Sequence, residues 1–203
     1  MKGINNIFFL YFSCFIVLVF SSCHDASEKM KTKLPESFFS MYMKTTNGNE
    51  ISLAEIKNKK AAVFMFLSPE CPICQNYSLT MNKLMDSYSS KGIAFYGIFN
   101  DRVYSKNQID DYMHDYGMKF IPILDSEKLL KKTLNAKLTP EVFVVLADGS
   151  ICYHGAIDNW YFSLGKHRTV ITENYLQDIL DKIINDKTPE PSQHEAIGCI
   201  IED

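Results

Sequence analysis

Two cysteines in the stretch Ser68-Pro69-Glu70-Cys71-Pro72-Ile73-Cys74 are the side chains of this 203-residue chain best placed to do chemistry. A thiolate attacks a disulfide sulfur, and a second thiol close by resolves the mixed disulfide that forms. The surroundings favour that use. The apolar run from Ala61 to Leu67 reads as a buried strand, and Ile73, Tyr77, Met81, Leu84 and Tyr88 after it recur at helical spacing, with Pro72 where a first-turn proline belongs. The thiols thus stand at a strand-to-helix turn. Unpaired backbone N–H groups and the positive end of the helix dipole favour a thiolate there. Cys71 is therefore expected to attack, and Cys74, one turn further in, to resolve. The same spacing also serves structural disulfides and zinc sites. A closed zinc site wants a second ligand pair, whereas Cys152 and Cys199 stand alone and no HxxxH follows.

The rest of the chain must position this turn and bring it to a compartment. A net charge of −3 with 22% charged residues and no basic run gives no reason to expect a nucleic-acid partner. Hydrophobic residues at 46% are ample for one folded core. Residues 1–22 read as a signal peptide, with Lys2 ahead of an apolar segment from Ile7 to Phe20. The sequence Phe20-Ser21-Ser22-Cys23 resembles the lipobox of bacterial lipoproteins, which implies lipidation of Cys23 and a membrane anchor; an ordinary cleaved signal or an uncleaved anchor are the alternatives. Each version exports the domain to an oxidising cell envelope or periplasm, where disulfides persist. Residues 23–36, mostly polar and ending at Pro35 and Glu36, read as a tether.

The folded domain is expected over 37–185. A short hairpin is read at Met41–Lys44 and Glu50–Leu53 around Asn47-Gly48. Ile93 to Phe99 is apolar almost throughout and reads as a strand covered on both faces. Ser105 to Gln108 has the capping-box pattern, opening a helix that Gly117 ends. Phe120 to Leu124 reads as a strand, and Asp125 or Ser126 caps a short helix through Leu134. Glu141–Ala147 and Ser150–Ile157 form a hairpin around Asp148-Gly149. Thr172 is expected to cap a last helix whose inward face is Tyr175, Leu176, Ile179, Leu180, Ile183 and Ile184. Strands alternating with helices predict an α/β domain with a mixed central sheet. The tail, residues 186–203, shows no period, yet its apolar, thiol-bearing end Ala196 to Ile201 is expected to dock on the domain.

This order of elements, with CxxC at the first strand-to-helix turn and Thr139-Pro140 just before a hairpin strand, resembles the thioredoxin fold. The extra strand and helix from Phe120 to Leu134 resemble the peroxiredoxin-related and TlpA-like branch. More narrowly, Cys71 to Tyr77, Leu138 to Phe143, Tyr153 to Asp158 and Gly198-Cys199-Ile200 are similar to exported bacterial redoxin proteins of the AhpC/TSA type. The resemblance implies a thiol-disulfide oxidoreductase with no organic cofactor or metal. Its partners would be protein thiols and disulfides and a membrane or periplasmic electron donor. It implies that Pro140 is cis, that Pro140 and the Thr139 backbone shape the substrate groove, and that Cys199 is an alternative resolving thiol; a core Cys199, or one paired with Cys152, is the other reading. The peroxiredoxin pattern P-x-x-x-[ST]-x-x-C is met at Ser68, but Phe64 stands in the proline position, and neither Arg102 nor Arg168 has a convincing place beside the thiol. Thiol peroxidase is thus the enzymatic rival. A carrier of a soft ion such as Cu(I), held by Cys71, Cys74 and His154, is another, and a non-catalytic binding module a third. Met65 occupies the position of thioredoxin's buried aspartate, so Glu141, next to Pro140, is the expected proton carrier. Trp160 and Tyr161 are expected to pack in the loop after the hairpin, and Asp158-Asn159 to make a turn.

Overall fold

The computed structural model describes residues 33–201. The expected signal peptide, Cys23 and the tether as far as residue 32 lie outside the described residues. In chain order, the hairpin forms as β1 (Tyr42–Thr45) and β2 (Glu50–Ser52), turned at Gly48 with φ +84°. The apolar run becomes β3 (Ala61–Phe66), buried at every residue. It feeds α1 (Pro72–Tyr88), whose buried side chains include the five read from the spacing. Next come β4 (Ile93–Phe99), α2 (Lys106–Asp115), β5 (Ile121–Leu124) and α3 (Leu129–Leu134). The capping box closes α2: Ser105 Oγ accepts from the Gln108 N–H, and Gln108 Oε1 from the Ser105 N–H at 2.9 Å. Asp125 serves α3 from below its first turn, its carboxylate accepting from the N–H groups of Leu130 at 3.1 Å and Lys131 at 2.9 Å. Beyond α3 lie β6 (Leu138–Thr139), the cis bond Thr139-Pro140, β7 (Glu141–Leu146) and β8 (Ile151–Gly155). A small hairpin, β9 (Tyr161–Ser163) with β10 (Lys166–His167), precedes α4 (Tyr175–Ile184), β11 (Ser192–His194) and β12 (Cys199–Ile200).

The sheet runs β11-β8-β7-β3-β4-β5-β1-β2. β3, β4 and β5 are parallel, with β7 antiparallel to β3 on one side and β1 antiparallel to β5 on the other. The mixed sheet flanked by helices is the architecture expected, and the first hairpin extends its edge through β1.

Alternation along β3 sends Val63 and Met65 to one face, with α1, α2 and α4, and Ala62, Phe64 and Phe66 to the other, with α3 and the 3-10 turns at 36–40 and 53–58. On the first face α4 buries Leu176, Ile179, Leu180 and Ile183, each contributing on the order of 2 kcal/mol of transfer free energy.

Two expectations need correction, and a third, the docking of the tail, holds. Thr172 does not cap α4: its hydroxyl accepts from Asn159 Nδ2 at 2.7 Å, and the helix begins after Asn174 with no side-chain cap. The tether does not run to Glu36, because Leu34 is 4% exposed in the core and its N–H donates to Gly149 O at 2.9 Å. The end of the chain lacks period because its strands are only two and three residues long. β11 runs parallel to β8, and β12 runs antiparallel to β6. Two glycines admit them: a Cβ at Gly155, φ +123°, would lie 1.7 Å from His194 O, and one at Gly198 would lie 2.2 Å from Thr139 O.

Candidate active site

β3 ends at Phe66, and after four intervening residues the chain turns into α1 with Cys71 at the N-cap and Pro72 in the first turn. Cys71 is 1% and Cys74 0% exposed. The loop is set by Cys71 N–H donating to Ser68 O at 3.2 Å, while Ser68 Oγ donates to Tyr104 Oη at 2.8 Å. As a thiol, Cys71 donates to Thr139 O at 3.2 Å. The cis bond Thr139-Pro140 thus faces the CxxC, as the resemblance implied.

The thiolate form of Cys71 is well supported. The Cys74 thiol donates to it, opposed by the cost of burial, and the Cys199 thiol and the backbone N–H groups of Cys74 and Cys199 add to the stabilisation; the result is a pKa lowered from 9.0 to about 5. Cys74 goes the other way: burial first, then the neighbouring Cys71, push its thiol well above 9.0. Cys199 is pushed up to about 12, by burial and then by Cys71. Divergent affinities for the proton in one contact cluster give a division of labour: one sulfur ionises and two hold protons against it.

Cys199 arrives by strand pairing. β12 sets it opposite Thr139, whose hydroxyl donates to Cys199 O at 3.4 Å. Cys152, its alternative partner, lies in the core, donates to Val144 O and has its pKa raised to about 12 by burial. A cleft of about 440 Å³, open mouth included, lies between Ser68, Tyr104, Thr139 and the tail residues Ile200 and Ile201, and no thiol lines it.

Two expected participants are elsewhere. Glu141 pairs with Phe66 across the β3–β7 ladder, so alternation points it to the face opposite Met65 and the thiols. Its Oε2 accepts from the N–H groups of Lys137 at 2.8 Å and Leu138 at 3.1 Å. It braces the approach to Pro140 and is turned away from Cys74. His154, named with the thiols as a metal ligand, also lies on that far face, stacked on Phe143 with its Nδ1 3.9 Å from Glu141 Oε1. Of the arginines, Arg102 pairs with Glu127 and Arg168 donates to Asn159 O.

What the residues alone did not reveal is the clamp on α1. Asp158 is 3% exposed and accepts from Tyr77 Oη at 2.6 Å and from the Trp160 N–H at 2.8 Å. Asn76 Nδ2 donates to Tyr161 Oη at 2.6 Å, and Trp160 packs edge-on against Tyr77. Thus Asp158-Asn159, read as a turn, ties the helix of the thiols to the 157–175 loop. The only available signal was two polar residues beside two aromatics. Gly198 was legible as part of the terminal Gly-Cys-Ile, but its close approach to Thr139 O was not.

The architecture is shared with solved structures. A hypothetical protein from Sinorhizobium meliloti 1021 matches with 23% identity and a TM-score of 0.69, over 84% of this chain and 97% of that one. A secreted Mycobacterium tuberculosis disulfide oxidoreductase matches with 17% identity and a TM-score of 0.53, over 75% and 99%. A PrxQ mutant from Xylella fastidiosa matches with 16% identity and a TM-score of 0.57, over 76% and 94%. These likenesses establish the thioredoxin-like fold. No curated protein matches the chain significantly. The AhpC/TSA family profile matches residues 31–154, which span the hairpin, the CxxC turn and the cis-proline, and the chain belongs to the AhpC/TSA family.

Proposed function

We propose that this protein is an exported thiol-disulfide oxidoreductase that exchanges disulfides with protein partners through Cys71 and Cys74. The observation that carries the reading is the placement of the two thiols: Cys71 at the N-cap of α1 beside Thr139 O and the cis Thr139-Pro140 bond, its pKa lowered chiefly by the Cys74 thiol, with Cys74 fully buried one turn on. In the reducing direction Cys71 attacks a partner disulfide, and one partner sulfur leaves as thiolate. Cys74 then gives up its proton and attacks Cys71, forming the Cys71–Cys74 bond and releasing the second partner thiolate. The partner's two sulfurs gain the two electrons that the pair loses. The oxidising direction is the reverse. Thr139 and Pro140 border the sulfur and shape the groove for the partner chain. Export rests on residues 1–22, and a lipid at Cys23 would hold the domain at a membrane, where an electron donor resets the pair. The solved M. tuberculosis relative, described as a secreted disulfide oxidoreductase, is consistent with this assignment.

Peroxidase chemistry is the weaker reading, since Phe64 replaces the motif's proline and both arginines are engaged away from Cys71. Equilibration of the full chain against reduced and oxidised glutathione, with thiol trapping and mass mapping, is the test. Cys71 should change redox state reversibly with the buffer. A Cys71 that stays reduced across the series, yet is converted by peroxide to a sulfenic acid, would replace this function with the peroxidase.

A further inference from the structure

The edge that the proposed function reserves for a partner chain is already taken. β12 lies antiparallel to β6 with Cys199 opposite Thr139, the residue whose carbonyl receives the Cys71 thiol. The fit is specific, because any side chain at 198 would strike Thr139 O. The hold is slight. Beyond the two-residue ladder, it includes Ile201 N–H to Lys137 O at 2.9 Å, Thr139 Oγ1 to Cys199 O at 3.4 Å, Lys131 Nζ to Ile201 O at 3.3 Å and apolar packing of Ile197, Cys199 and Ile201, while Ile200 is 80% exposed. The neutral bonds are worth about 1 kcal/mol each and the one from the Lys131 ammonium about 2, so a two-residue strand near the chain end opens more readily than the core unfolds. A segment that is well matched, weakly held and tipped with a thiol has the properties of an exchangeable partner.

We propose that the tail is an internal partner: Cys199 attacks Cys71 in the Cys71–Cys74 disulfide, and the resulting Cys71–Cys199 bond latches β12 over the groove. The proposal rests on the oxidoreductase reading. The Cys71–Cys199 bond forms and the Cys71–Cys74 bond breaks; the proton of the Cys199 thiol ends on Cys74, and no external oxidant or reductant is consumed. Oxidation prepares the step, because it removes the Cys71 charge that opposes ionisation of Cys199 in the reduced protein. Cys74, buried and protonated, is then the stored resolving thiol, ready to reverse the exchange and lift the strand. The latched form is closed to a partner strand, and attack on either sulfur of the latch by a small thiol reopens it.

The test maps every disulfide in the full chain after equilibration with glutathione, comparing the unmodified protein with Cys74→Ser and Gly198→Val. Cys71–Cys74 and Cys71–Cys199 bonds should coexist in the unmodified protein, and Cys74→Ser should collect as Cys71–Cys199. Gly198→Val, which forces the strand away from Thr139, should lower the Cys71–Cys199 yield at least tenfold while Cys71–Cys74 still forms. The proposal is overturned if Cys74→Ser gives a Cys71–glutathione mixed disulfide with Cys199 free, or if Gly198→Val leaves the Cys71–Cys199 yield unchanged; the oxidoreductase reading survives both results. A Cys71 that never exchanges overturns both together.

Discussion

The two residues that flank Pro140 face opposite sides of the molecule and do opposite work. Thr139 turns to the thiols: its carbonyl receives the Cys71 thiol and its hydroxyl reaches Cys199 O. Glu141, two positions on, turns to the far face, where it accepts two backbone N–H groups and lies 3.9 Å from His154. The same contrast holds for the two cores. One gathers Cys71, Cys74 and Tyr77 beneath three helices; the other is filled by Phe38, Phe64 and Phe143 beneath α3 and the 3-10 turns. Proximity in sequence to a reactive group is therefore a poor guide to participation in a strand. Residues two apart in a continuous strand share a face, so the opposite directions of Thr139 and Glu141 mark the break between β6 and β7 at Pro140, which separates a groove wall from a brace.

That division can be broken in graded ways. The largest effect belongs to Cys71→Ser, which should cut disulfide exchange by on the order of 10³-fold or more, while Cys74→Ser keeps the attacking sulfur and should form no Cys71–Cys74 bond, collecting as Cys71–Cys199; insulin reduction assays combined with mass mapping would separate the two. Next, Tyr77→Phe removes the phenol donor from buried Asp158 and should cost about 2 kcal/mol in denaturant unfolding. A variant as stable as the parent would mean the clamp on α1 contributes nothing. Glu141→Gln on the far face should cost about 1 kcal/mol of stability and leave the pH dependence of exchange where it was. A displaced profile would restore Glu141 as a proton carrier.

The last effect is a slope, seen only when pH is varied. A reduced Cys71 ionised near pH 5 in the fold and near 9.0 when unfolded leaves the unfolded chain holding the extra proton between those values. The stability difference between the parent and Cys71→Ser should therefore grow as pH rises from about 5 to 9, be fully present above 9, and vanish as pH falls through 5. A flat difference across that window would mean the thiolate is not stabilised by the fold.

Much of this was legible because it rests on short-range patterns. The spacing of Ile73, Tyr77, Met81, Leu84 and Tyr88 fixes the buried face of α1, and Ser105 with Gln108 fixes the start of α2. The strand-to-helix turn likewise places Cys71 at an N-cap. What escaped depends on partners distant in sequence. Thr172 has the chemistry of a cap, yet Asn159 claims it across 13 residues. The side-chain direction of Glu141 follows from its pairing with Phe66, and the contact between Gly198 and Thr139 from a two-residue ladder too short to leave a period. The small hairpin β9–β10 escaped for the same reason, its strands being three and two residues long.

The most direct measurement is the ultraviolet thiolate absorbance of the reduced full chain as a function of pH, in the parent and in Cys71→Ser. One thiolate should appear with a midpoint near pH 5 in the parent and be missing from the variant. A first ionisation near 9.0, or one at low pH that survives Cys71→Ser, would contradict the assignment of Cys71 as the sulfur that the fold prepares for attack.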